Sequence, residues 1–229
     1  MKAFIHYVKG HGPSEKQAEE SLASFRKQSW DASIVEGVTP ETLDDTEFDV
    51  KVIRNGRLLS MKERGDRVYL IKKSCLTNHY RLWNRCIELN ETIAFIEQDA
   101  IAIAPPIQAL FRDICILNIE YAFKTPSILG TITGCANYTP PPSFVPTQLP
   151  RDYPLQYYKD NEWQGYNMIP GTAAYAVTPS GAKKLLEAAY TLGVDQSDFF
   201  INSYNVNIDY ITPSPVKFNT KNLNLSHTL

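Results

Sequence analysis

Several things are missing from this chain, and each absence removes a class of function. No apolar run in the 229 residues approaches the ~20 that a bilayer-spanning helix needs. Met1-Lys2-Ala3-Phe4-Ile5-His6-Tyr7 goes straight into a strand-like pattern, without the apolar core of a signal peptide. Cysteine is sparse: Cys75, Cys86, Cys115 and Cys135 are widely spaced and form no CxxC pair. That spacing argues against a zinc cluster and suits buried free thiols in a reducing cytoplasm. There is no GxGxxG and no GxxxxGK[ST], so neither dinucleotide fingerprint nor Walker loop is present. Net charge is only −2, so no global basic field draws the protein to nucleic acid or anionic lipid. A local basic groove is still compatible with that balance.

What is present is ordinary in bulk. Hydrophobic residues make up 43% and charged residues 21%, as in soluble globular domains. The length suits one large α/β domain, read here as a single unit over 1–229. Lys2 to Val8 reads as a strand, Glu15 to Gln28 as a helix capped by Ser14, and Ala32 to Glu36 as a second strand closed by Gly37. This β-α-β opening predicts parallel pairing, with a ligand at the strand ends near Val8 and Glu36-Gly37. Lys72 to Asn90 carries a helical apolar stripe, with His79 beside it. Pro105-Pro106 suggests a helix running to about Ile114, and Ser127 to Thr133 a strand. Thr178-Pro179 opens another helix, with a cap followed by proline.

Thr92-Ile93-Ala94-Phe95-Ile96-Glu97-Gln98-Asp99 carries the chemistry. A short apolar run bounded this way reads as a buried strand. Acids at the carboxyl end of such a strand lie where open α/β sheets bind ligands. Two carboxylates one residue apart suit a shared divalent cation; a solvated acidic turn is the alternative. Lys51, Arg54, Arg57, Lys62, Arg64 and Arg67 form the most basic stretch, either a solvated loop or a phosphate contact. Residues 138–166 hold five tyrosines and a triple proline. A loop of that length is usually functional, and its aromatics suit sugar faces as well as ordinary packing. Asp195 and Asp198 lie on a turn entering a helix, as helix caps or as acid–base groups.

Three segments recur in one order: Lys73 to Trp83, Ile93 to Asp99, and Gly171-Thr172-Ala173-Ala174-Tyr175 through Leu186 to Val194-Asp195. In that order and spacing the chain resembles glycosyltransferase family 25, the lipooligosaccharide-type sugar transferases related to collagen galactosyltransferases. Ser74 stands where the family usually has Gly, Asn78 where it has Ser, and Gln98 replaces the middle acid of its motif. The resemblance implies an α/β, GT-A-like (Rossmann-like) fold with a mostly parallel central sheet. It also implies a UDP-sugar donor, Mn²⁺ or Mg²⁺, and inverting transfer to a hydroxyl acceptor such as lipooligosaccharide. On it, Asp99 and His227 are metal ligands, and Val8, Glu36, Gly37, His79, Glu97 and Gln98 lie by the donor. His79 either faces the donor or braces the acid strand. Asp195 is the first candidate for general base and Asp198 the second. Two alternatives go with it: a phage-type transferase acting on a hydroxymethylated base of DNA in the host cytoplasm, and a catalytically degenerate homologue that only binds glycan or nucleotide.

Overall fold

The structure, a computed structural model, describes residues 1–44, 46–121, 139–169 and 172–219. The strands are β1 (Lys2–Tyr7), β2 (Asp31–Glu36), β3 (Ile93–Glu97), β4 (Ala100–Ala102), β5 (Ile114–Ile116), β6 (Thr147–Gln148), β7 (Ala174–Val177), β8 (Ile208–Tyr210) and β9 (Val216–Phe218). The helices are α1 (Gly12–Lys27), α2 (Arg57–Glu63), α3 (Val68–Leu89), α4 (Pro179–Thr191) and α5 (Ser197–Phe200). Among the described residues, seven strands form one sheet in the order β2-β1-β3-β7-β5-β8-β6, and β4 pairs with β9. Strands β2, β1, β3, β5 and β8 run one way, and β7 and β6 the other. The sheet is therefore mixed but mostly parallel, and the carboxyl ends of five strands share one edge.

Strand alternation divides the core. Ala3, Ile5, Ala94, Ile96, Ala174 and Ala176 face α1, packing with Ala18 and Phe25. Ile93, Phe95, Tyr175 and Val177 face α3 and α4, packing with Leu76, Trp83, Cys86 and Leu185. The larger aromatics on this second face fill the space under the long α3.

Helix α1 starts at Gly12, earlier than the sequence suggests. His11 Nδ1 accepts from the Ser14 N–H at 3.3 Å, and Pro13 lies in the first turn. Ser14 is not the cap; its hydroxyl accepts from the Val8 N–H at 2.9 Å and ties the end of β1 to α1. Helix α3 also starts early, at Val68, and α2 and the short β4, β6 and β9 carry no strong sequence signal. Residues 105–114 are not helical. Ile114-Cys115-Ile116-Leu117 is a continuous apolar run, buried throughout and paired on both sides by β7 and β8, and such a run is a strand. Arg112 pairs with Asp209, and Asp113 accepts from Lys184 and Asn207, which pins the approach to β5. The described part of the long segment, 139–166, divides: Tyr153, Tyr157 and Trp163 are buried, whereas Phe144, Val145, Tyr158 and Tyr166 are exposed. The strand expected at 127–133, Cys135 and His227 lie outside the described residues. Cys75, Cys86 and Cys115 are free thiols. No described helix is long and apolar enough to cross a membrane.

Candidate functional site

The site is the sheet edge where β1, β2, β3 and β5 end. Glu97 is the last residue of β3, and its N–H donates to the Ala173 carbonyl at 2.8 Å. The chain turns through Gln98 and Asp99 into β4, and the Asn219 N–H donates to the Asp99 carbonyl at 2.7 Å. Asp99 Oδ1 is buried and has no hydrogen-bond partner. Burial pushes the Asp99 carboxyl up to about 6. Burial, then the charges of Asp99 and Asp198, pushes Glu97 up to about 8, with Lys72 and the Thr172 hydroxyl opposing. Asp198 is raised too, by burial, against the pull of Lys72 and of the Thr172 hydroxyl and N–H. The Thr172 hydroxyl also lies 3.4 Å from Glu97 Oε1. So Glu97, Asp99 and Asp198 form one acidic neighbourhood, faced by the cation Lys72. Among the described residues, no three His, Cys, Asp or Glu side chains gather closely enough to hold a metal ion.

Asp195 has a different setting. It is fully buried and accepts four hydrogen bonds, from the N–H groups of Arg57, Leu58 and Gln196 and from the Tyr157 hydroxyl, at 2.7 to 2.9 Å. Two of those donors are the first N–H groups of α2, which has no side-chain cap of its own. Asp195 therefore caps α2 from across the fold, where a carboxylate also meets the helix dipole favourably.

His79 braces the acid strand. It is 1% exposed and stacks on Phe95 with ring centroids 4.0 Å apart. The Trp83 indole donates to the Tyr175 oxygen at 3.1 Å, and the same hydroxyl shares a hydrogen bond with His79 Nδ1 at 2.9 Å. Burial holds the His79 ring well below its usual titration range, so it sits neutral beneath β3.

The other strand ends form a neighbouring group. The Gly37 N–H donates to the Tyr7 carbonyl at 2.8 Å, and a Cβ at Gly37 would lie 3.0 Å from that oxygen. Asn78 clamps the turn, accepting from the Val38 N–H at 2.6 Å and donating to the Val38 carbonyl at 3.3 Å. That clamp gives the Ser-to-Asn departure a physical role. At Ser74, where the family has Gly, the hydroxyl donates back to the Leu70 carbonyl at 2.8 Å, which satisfies it inside α3. Glu36 pairs with Lys9 at 2.9 Å on the exposed rim. The 51–67 basic side chains are also exposed, with Arg57 over the Phe199 ring.

Sequence reasoning did not single out four residues of this edge: His6, Lys72, Asn118 and Thr172. His6 stacks on Phe95 at 4.6 Å, and both its ring nitrogens are buried without partners. Burial, then Arg81, lowers its pKa to about 4. Only its place at the end of β1, register partner of Glu97, could have drawn attention to it.

Comparisons with known proteins give a family match over part of the chain and a remote structural likeness. Residues 15–122 match the model of glycosyltransferase family 25 (LPS biosynthesis protein), so the resemblance to that family is shown over the segment that holds Gly37, His79 and Glu97 to Asp99. No curated protein matches the chain. Among solved structures, a galactosyltransferase LgtC in complex with donor and acceptor sugar analogues is similar at 8% identity and a TM-score of 0.36, covering 95% of this chain and 86% of that one.

Proposed function

We propose that the protein is a GT-A-like, metal-dependent, inverting transferase that moves a sugar from a UDP-sugar to a hydroxyl of a surface glycan of the lipooligosaccharide kind. The observation that carries this reading is Asp99 Oδ1, a carboxylate oxygen buried without a partner beside a second raised carboxyl, Glu97. A buried acid without a donor is costly, and a cation is the natural partner for two such acids. The residues fit an Mn²⁺ or Mg²⁺ ion. Asp99 would hold it, with Glu97 supporting a bound water or the donor's ribose. When bound, such an ion offsets charge that builds on the departing diphosphate. Few protein ligands are needed, because Mg²⁺-type ions at phosphate sites commonly take one or two carboxylates and fill their shell with water and phosphate oxygen.

The chain's own groups supply the rest. Asp198 is the better general base, because Asp195 already accepts four hydrogen bonds and caps α2. Burial raises the pKa of Asp198, which strengthens it as a base. In the reaction the Asp198 carboxylate takes the acceptor hydroxyl's proton, and the acceptor oxygen bonds to the anomeric carbon. The bond from that carbon to the diphosphate oxygen breaks, and UDP leaves with the electron pair. Lys72 adds fixed positive charge at the acids, and Thr172 holds the Asp198 carboxylate in place.

The test is UDP release from a panel of UDP-sugars with Mn²⁺, in parallel with calorimetric titration of UDP. Slow release together with Mn²⁺-dependent UDP binding is the expected result. UDP binding without release from any sugar, with or without lipooligosaccharide acceptor, would favour the degenerate homologue. No UDP binding at all would overturn the reading.

A further inference from the structure

Asn118 lies two residues beyond the end of β5. It is 1% exposed, and neither its amide oxygen nor its amide nitrogen has a hydrogen-bond partner. A buried carboxamide without partners gives up hydrogen bonds that water would supply, so it calls for an explanation. His6 and Asp99 Oδ1 are in the same condition. His6 lies one residue before the end of β1, and Asp99 and Asn118 lie two residues beyond the ends of β3 and β5, parallel strands whose carboxyl ends lie on one edge of the sheet. Unpaired polar groups thus line the edge where ligands of open α/β sheets bind.

Their order along the edge carries meaning. β7 lies between β3 and β5: the Glu97 N–H reaches the Ala173 carbonyl and the Leu117 N–H reaches the Ala174 carbonyl at 3.1 Å. Asn118 is therefore on the far side of β7 from the acids, and His6 on the near side, toward β1 and β2. Asp198 bonds to Thr172, which leads into β7, so the candidate base belongs to the β7 side. A base must reach the hydroxyl that attacks the anomeric carbon. The transferred sugar therefore lies toward β7 and β5, and the nucleoside toward β1 and β2.

We propose that Asn118 is a specificity-determining residue of the donor site, whose carboxamide reads a hydroxyl of the transferred sugar. A carboxamide donates and accepts, and a sugar hydroxyl does both, so the two match without a charge. The inference rests on the transferase reading above and names the part of the donor that this end of the site recognises.

The experiment uses the full chain and two variants, Asn118→Ala and Asn118→Asp. Calorimetry measures UDP binding with Mn²⁺. UDP release is followed for a panel of UDP-hexoses and their single-hydroxyl epimers, and thermal unfolding is recorded for each protein. UDP affinity should stay within about twofold in Asn118→Ala. Release from the sugar that the wild type prefers should fall about tenfold or more, and the preference among epimers should flatten. The melting temperature should stay level or rise, since an unpaired buried amide is removed. A lowered melting temperature with the epimer preference intact would show that Asn118 only supports the fold, and would overturn the proposal. An ordered water satisfying the amide in a crystal with UDP-sugar bound would also overturn it. Failure of the wild type to bind UDP would overturn the transferase reading itself, and is distinct from a variant that binds UDP and has lost only sugar preference.

Discussion

Two buried acidic regions of this protein have opposite surroundings. Asp195 accepts four hydrogen bonds and caps a helix that has no cap of its own. Asp99, at the end of the β3 strand, keeps one oxygen without any donor, next to Glu97 with its raised pKa. Both are acids on turns, both sit in segments that resemble the same family, and sequence alone gives both chemical roles. The difference teaches how to separate structure from function: a carboxylate saturated by backbone N–H groups is committed to the fold. One left short of partners calls for a further explanation, and a bound ligand is one.

The largest expected effect tests the saturated acid. Asp195→Ala leaves three backbone N–H groups and the Tyr157 hydroxyl without their acceptor, and should cost about 3–5 kcal/mol of stability, read by urea unfolding. A loss below about 1 kcal/mol, with transfer abolished, would return Asp195 to the role of general base. Next comes Asp99→Asn. UDP release with Mn²⁺ should fall about 10²–10³-fold, the scale of a lost electrostatic contact in a transition state. The melting temperature should not drop, because no donor loses its partner. Comparable stability losses in both variants would erase the contrast between the two regions.

A third prediction uses pH. Glu97 titrates near 8 in the fold against an ordinary 4.5, so its ionised form is disfavoured there. Below about 4.5 the carboxyl is protonated, folded or unfolded, and the residue is neutral to stability. As pH rises through 8, the unfolded chain has released the proton that the fold prefers to keep, and stability is lost. Glu97→Gln should therefore raise the melting temperature at pH 8.5 and change it little at pH 4. Mn²⁺ should narrow the gap at pH 8.5 by stabilising the wild type. A gap that grows toward low pH would contradict the assigned cause. The smallest effect is at an ordinary cap. The Gly181 N–H donates to the Thr178 hydroxyl at 3.1 Å, and Thr178→Ala should cost about 1 kcal/mol with turnover unchanged. Lost turnover there would mean that α4 is coupled to the site.

Much of the frame was legible beforehand because it depends on local pattern. The β1-α1-β2 opening, the acid strand and the Thr178-Pro179 start of α4 follow from apolar periodicity and capping chemistry. By sequence, residues 105–114 resemble a helix because a proline pair resembles a helix start. Only pairing with β7 and β8 shows that the apolar run ending this stretch is a strand. The tyrosines of 138–166 looked equally suited to sugar or to packing, yet Tyr153 and Tyr157 are core and Tyr158 and Tyr166 are exposed. Burial of that kind depends on what the rest of the chain brings to the segment.

By itself, the sequence determined that acids would stand at the end of a buried strand and that the chain would resemble a sugar transferase. Those features reside in consecutive residues. Only the tertiary structure decided which acids have their hydrogen bonds satisfied. It set four donors from three segments around Asp195, left Asp99 Oδ1 with none, and brought His6 and Asn118 to the same edge as Asp99. Hydrogen-bond partners come from residues distant in sequence, so whether a buried polar group is satisfied cannot be read from its neighbours along the chain.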